Sequence, residues 1–206
     1  FEVIGVDIKR QPHYPFEFIQ ADAMTFPLEG YDAIHASPPC QAYVDSANKA
    51  KHPKLIEPLR ERLIAAGVPF IIENVDKAPL FFPIRLCGTF FGLRVIRHRL
   101  FETCPRLGIL DTPCHHWGRV SEGTFAAAYG RGGKGPRYIE NGERKRISGP
   151  IGQNIGGPRT KEFVGSAMGI NWMPFTALTQ AIPPAYTEYL GLRWLRELGH
   201  DGLHLP

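Results

Sequence analysis

Tyr31-Asp32-Ala33-Ile34-His35-Ala36-Ser37-Pro38-Pro39-Cys40-Gln41 reads as a short apolar strand that hands the chain to a proline-stiffened loop. Two successive prolines fix the backbone and withhold two amide donors, which shapes an exposed loop rather than a core strand. A free cysteine is ordinarily a small buried hydrophobe, so Cys40 at the tip of such a loop is out of its usual place. A nucleophilic cysteine needs a nearby cation or a helix N-terminus to favour the thiolate. Residues 42–51 are expected to open a helix there, and Arg97 is expected to supply charge.

Upstream, two more runs precede this strand. Residues 1–8 (FEVIGVDI) form an apolar, β-branched stretch ending near Asp7, and residues 16–19 lead into Ala21-Asp22-Ala23. Strands of this kind build nucleotide-binding α/β folds, in which a carboxylate at a strand tip accepts from a ribose hydroxyl pair. Asp7 fits that role, and Asp22 is placed to accept from an adenine amino group. The plain alternative is that both aspartates cap turns.

Downstream, residues 53–67 (PKLIEPLRERLIAAG) read as a helix with Leu55, Ile56, Leu59, Leu63 and Ile64 on its apolar side and Gly67 as its stop. Residues 68–72 (VPFII) then form a buried strand whose end presents Glu73-Asn74. A carboxylate there is costly to bury unless protonated or paired. Held neutral it donates to a ring nitrogen; the alternative is a structural pair with Arg97 or Arg99. Residues 85–102 are expected to form a hairpin with Arg94, Arg97 and Arg99 on a polar face, where a planar guanidinium grips a carbonyl or phosphate. Cysteine, carboxylate and arginines together suit covalent attack on a pyrimidine ring.

In their order along the chain, Pro38-Pro39-Cys40-Gln41, Glu73-Asn74-Val75 and Arg97-His98-Arg99 resemble three signature motifs of the DNA (cytosine-5)-methyltransferases. Ala167-Met168-Gly169-Ile170 and Gln180-Ala181-Ile182-Pro183-Pro184 look like the last two. The likeness extends over roughly residues 1–102 and 159–198 and is greatest to small members of bacteriophage type. Val95 and Gln180 depart from the pattern, which has glutamine and asparagine at those places. The family also opens with a Phe-x-Gly-x-Gly loop before the position of Asp7. Gly130, Gly132, Gly133 and Gly135 are no substitute for it, since no apolar strand precedes them, and an amino-terminal segment beyond the given sequence is expected to hold it.

The resemblance implies an α/β fold of the S-adenosylmethionine-dependent (Rossmann-like) kind, a mostly parallel sheet with a small inserted recognition lobe. It implies transfer of a methyl group to carbon 5 of cytosine in double-stranded DNA. Cys40, Glu73, Arg97 and Arg99 would be catalytic. Asp7, Ile8, Asp22, Ala23, Pro39, Gln180 and Ala181 would line the S-adenosyl-L-methionine pocket, closed by a helix over residues 185–198. The family setting is restriction-modification in the cytoplasm of a bacterial host, and a monomer is expected. A catalytically inactive DNA-binding relative and a nucleotide-level pyrimidine enzyme are the alternatives.

Composition agrees with one catalytic domain carrying an insertion. At 206 residues the chain holds 24 Lys or Arg against 20 Asp or Glu, a net charge of +4, and its isoelectric point is near 8.9. The excess is concentrated: residues 103–159 carry nine basic against four acidic side chains, net +5. The expected division is therefore a first core part over 1–102, a loop-dominated recognition lobe over 103–159 and a second core part over 160–206. Gln41, Arg131, Lys134, Arg137, Arg144, Lys145 and Arg146 are the expected DNA contacts, with salt-dependent binding. No apolar run approaches the ~20 residues a membrane span needs, and four cysteines without paired spacing suggest no disulfide framework. Cys104, Cys114, His115 and His116 fit no standard zinc-finger spacing, so no metal is expected.

Overall fold

The computed structural model describes residues 2–44, 49–108, 112–116, 125–126, 128, 137–140, 143–146 and 160–197. Its chain divides into two units, Phe1–Leu86 with His98–Asp111, and Cys87–Arg97 with Thr112–Pro206. Residues 103–111, expected in the basic lobe, fall in the first unit, and residues 87–97 in the second.

The first unit is α/β. Strands β1 (Ile4–Asp7) and β2 (Glu17–Gln20) pair in parallel, Asp7 opposite Gln20. A second sheet has the order β3-β4-β6-β5, from β3 (Ile34–Ala36), β4 (Phe70–Asn74), β5 (Ile84–Leu86) and β6 (Arg99–Cys104). The β3/β4 pairing is parallel, but β4/β6 and β6/β5 are antiparallel. The expectation of a mostly parallel sheet therefore holds only as far as β4.

Helix α1 (Ile56–Ala66) supplies the crossover between β3 and β4, and Gly67 ends it in the left-handed conformation at φ 66°. Its buried residues are Ile56, Leu59, Arg60 and Leu63. Leu59 and Leu63 form a core with Leu28, Phe70 and Ile72. Ile64, expected on the apolar side, is 60 % exposed. Arg60 is buried instead, because its guanidinium meets Glu102 in a two-point pair at 2.7 and 2.8 Å. It also donates to the Pro79 carbonyl and lies over the Phe81 ring.

The α-helix expected over residues 42–51 is replaced, among the described residues, by single 3₁₀ turns at Cys40–Ala42 and Lys49–Lys51.

The second unit packs Val95, Ala126, Ala128, Val164, Ala167, Met168, Ile170 and Leu178 into one core. Helix α2 (Lys161–Met168) begins at Thr160, whose hydroxyl accepts from the Phe163 amide at 3.1 Å, and α3 is Phe175–Leu178. Helix α4 (Pro184–Glu197) buries Tyr186, Leu190 and Trp194. The Phe91 ring stacks on Tyr186 with centroids 5.2 Å apart. Backbone strands β7 (Arg137–Glu140) and β8 (Glu143–Arg146) pair antiparallel, so this part of the basic segment is a hairpin rather than a loop. The intervening dipeptide is Asn141-Gly142, the sequence that two-residue hairpins prefer.

Candidate functional site

The carboxyl ends of β3 and β4 lie side by side, because Ala36 pairs with Ile72 in parallel register. The loop after β3 carries Cys40 and the end of β4 carries Glu73 and Asn74. The buried Pro38 carbonyl needs a hydrogen-bond donor from elsewhere in the chain. Asn74 provides it. Its side-chain amide donates to the Pro38 carbonyl at 2.8 Å, while its carbonyl oxygen accepts from the Val75 amide at 3.0 Å. Asn74 is 1 % exposed, and a buried polar side chain satisfied at both ends has one orientation.

Cys40 is partly exposed and starts its 3₁₀ turn, its carbonyl accepting from the Tyr43 amide at 2.9 Å. The Tyr43 hydroxyl accepts from the Ile56 amide at 3.2 Å and so ties the loop to the start of α1. Cys40 thus opens a three-residue turn rather than the helix expected after it. Gln41 is exposed beside it.

Glu73 is 7 % exposed, and Arg99 Nε stands 2.9 Å from its Oε1. This is the structural pairing weighed against a neutral acid. The register places Phe101 opposite Glu73, which puts Arg99 diagonally across on the same face of the sheet. Arg99 also donates to the His98 carbonyl at 2.7 Å.

At the β1 and β2 ends, both aspartates organise turns. Asp7 accepts from the Lys9 amide at 2.7 Å and from Gln11 Nε2 at 3.1 Å; Asp22 accepts from the Met24 amide at 2.9 Å. A carboxylate has about four lone-pair sites, so capping leaves acceptor capacity at each. Ile8, directly after Asp7, is 64 % exposed. Ala23 is exposed too, and its carbonyl accepts from Arg62 Nη1 of α1 at 2.8 Å, while the Phe26 carbonyl accepts from Nη2. Sequence reasoning missed Arg62, since nothing local marks a helix arginine as a clamp on a turn 36 to 39 residues earlier.

In the second unit Arg97 is 5 % exposed and donates to the carbonyls of Ala128 and Thr179, the latter at 3.1 Å. Its own carbonyl accepts from the Tyr186 hydroxyl at 2.6 Å. Arg97 thus positions Thr179 and with it Gln180 and Ala181, whose amides both bond to the Ala177 carbonyl. Val95 is fully buried and bridges to Ala126.

The same unit brings Cys87, Cys114 and His116 together, their ligand atoms within 4.8 Å of one another. The expectation of no metal rested on the spacing of Cys104, Cys114, His115 and His116. Cys87, the buried member of this cluster, lies too far upstream for such a pattern to register. Arg131 and Lys134 lie outside the described residues, and for Arg137, Arg144, Lys145 and Arg146 the structure gives the backbone strands alone.

Among the described residues no helix is long and apolar enough to cross a membrane. No protein-family model matches the chain, and no curated protein matches it in sequence.

Proposed function

We propose that the protein transfers a methyl group to carbon 5 of cytosine in DNA through a covalent intermediate on Cys40. The observation that carries this reading is the Asn74–Pro38 hydrogen bond of 2.8 Å. It joins the two segments whose order along the chain resembles the cytosine-5 enzymes, and it sets the cysteine loop against the strand that bears Glu73.

The side chains suit the chemistry. Glu73 offers an acceptor and Arg99 a donor on one sheet face, complementary to the exocyclic amino group and ring carbonyl of cytosine. A base extruded from the duplex would be held by this pair. The Cys40 thiolate adds to ring carbon 6, and the electron pair of the broken 5,6 double bond delocalises toward the carbonyl that Arg99 holds, where a fixed cation stabilises it. When bound, S-adenosyl-L-methionine supplies the methyl group taken up at carbon 5. Carbon 5 then gives up its proton to solvent water, and the sulfur–carbon 6 bond breaks to return the thiolate and restore the double bond.

The residues at the β1 and β2 ends fit such a nucleoside-bearing cofactor. Asp7 and Asp22 have spare acceptor capacity for ribose hydroxyls and an adenine amine, and exposed Ile8 offers an apolar surface to the base. Pro39 joins this residue set by resemblance.

The test is transfer of labelled methyl groups from S-adenosylmethionine to duplex DNA and, separately, to free deoxycytidylate. Label in DNA cytosine alone supports the reading. Label in the nucleotide alone would favour a nucleotide-level enzyme. DNA binding without transfer would favour an inactive relative, a reading to which the burial of Val95 at the family's glutamine position lends support.

A further inference from the structure

We propose that Cys87, Cys114 and His116 form a structural zinc site within the second unit, independent of the methyl-transfer reading. Their Sγ, Sγ and imidazole nitrogen atoms converge within 4.8 Å, and Cys87 Sγ stands 3.4 Å from His116 Nε2. In a tetrahedral zinc centre with bonds of about 2.0 to 2.3 Å, neighbouring ligand atoms are about 3.5 to 3.8 Å apart. The Cys87–His116 separation already matches that spacing, and the others, at no more than 4.8 Å, need a contraction of at most about 1 Å to reach it.

The donor set points to the metal. Two thiolates and an imidazole are soft to borderline ligands, which select zinc over magnesium or calcium. Three protein donors leave the fourth corner of the tetrahedron to water or a further protein donor.

The surroundings are organised as a ligand shell. Thr89 Oγ1 lies 3.3 Å from Cys87 Sγ and accepts from the His115 amide at 3.1 Å. One hydroxyl therefore orients a ligating sulfur and anchors the backbone between the other two ligands, the outer-shell arrangement that tunes metal sites. Cys87 is fully buried beside the 3₁₀ turn Gly88–Phe91, whereas Cys114 and His116 are exposed on the segment 112–116. An ion here staples that segment to the turn. Binding converts two thiols to thiolates and releases their protons, so affinity falls with acid.

The experiment uses the full chain, purified under reducing conditions, with zinc measured by elemental analysis and cobalt(II) substituted for it. About one zinc per chain is expected, with cobalt spectra showing tetrahedral d–d bands and thiolate-to-metal charge transfer. Cys114→Ser and His116→Ala, both at exposed positions, should lower retained zinc at least tenfold and weaken the charge-transfer band in the cysteine variant. Cys87→Ser is the third variant. Because the readouts are metal content and spectra, failure of methyl transfer leaves the proposal intact. Reduced protein that titrates four thiols yet shows no cobalt bands would overturn it, as would a Cys87–Cys114 disulfide in the native protein or full zinc retention in the Cys114 variant.

Discussion

Glu73 and Arg99 meet diagonally across β4 and β6, with Arg99 Nε 2.9 Å from the Glu73 carboxylate. Three residues along the same strand, Glu102 points to the opposite face and grips Arg60 of α1. One strand thus divides two ion pairs between two sheet faces, the first beside the proposed chemistry and the second in the core.

Cys40→Ser should abolish methyl transfer with little change in folding stability. A hydroxyl is a far poorer nucleophile than a thiolate at neutral pH, and the partly exposed site tolerates the swap. DNA carrying 5-fluorocytosine should trap the parent protein but not this variant, read as a band shift on a denaturing gel. Parent-like turnover in the variant would remove Cys40 from the mechanism.

Asn74→Ala removes the donor that holds the Pro38 carbonyl. The expected cost is about 1–3 kcal/mol, since a buried acceptor loses its partner, measured by urea denaturation. Transfer should fall further than stability explains, because the cysteine loop loses its register. Unchanged turnover in the folded variant would show that the loop is held by other means.

Glu102→Gln leaves Arg60 charged and under-compensated in the core, at an expected cost of about 3–5 kcal/mol. The double replacement Arg60→Met with Glu102→Leu should recover most of that loss, as apolar substitutes for buried pairs often do. A double variant no more stable than Glu102→Gln would mean that the contacts to Pro79 and Phe81 dominate.

Arg62→Ala frees the turn that carries Asp22 and Ala23. A lost contribution of about 1 kcal/mol corresponds to roughly fivefold weaker S-adenosylmethionine binding, checked by calorimetry, with DNA affinity unaltered. Equal losses for both ligands would point to general destabilisation.

Replacing Arg144, Lys145 and Arg146 of β8 with alanine should flatten the salt dependence of DNA binding. Each phosphate contact removed lowers the slope of log affinity against log salt by about 0.9. Slopes that coincide with the parent's would move recognition off this hairpin.

What the amino-acid pattern made legible was local. The spacing of Ile56, Leu59 and Leu63 marked α1, and the run ending at Glu73-Asn74 marked β4, because helix and strand periods are written in neighbouring residues. Ile64 was misread because the buried position went to Arg60, whose partner lies 42 residues away. The roles of Asn74 and Arg62 likewise depend on carbonyls 36 to 39 residues distant, and backbone acceptors leave no mark in a sequence. Cys87 joined Cys114 and His116 only through the fold. The β7/β8 pairing was readable in the dipeptide Asn141-Gly142 of the sequence, but the richness of Gly and Arg around it suggested a loop instead.

The opposed pairs on β6 also act during folding. A strand that slips one position exchanges its faces. Such a slip here would turn Glu102 away from α1, strand Arg60 without its carboxylate and carry Arg99 off the face of Glu73. Either error alone is unfavourable, and one slip commits both. The sheet therefore proofreads its own alignment at β6, and only the register that buries Glu102 against the helix also delivers Arg99 beside Glu73.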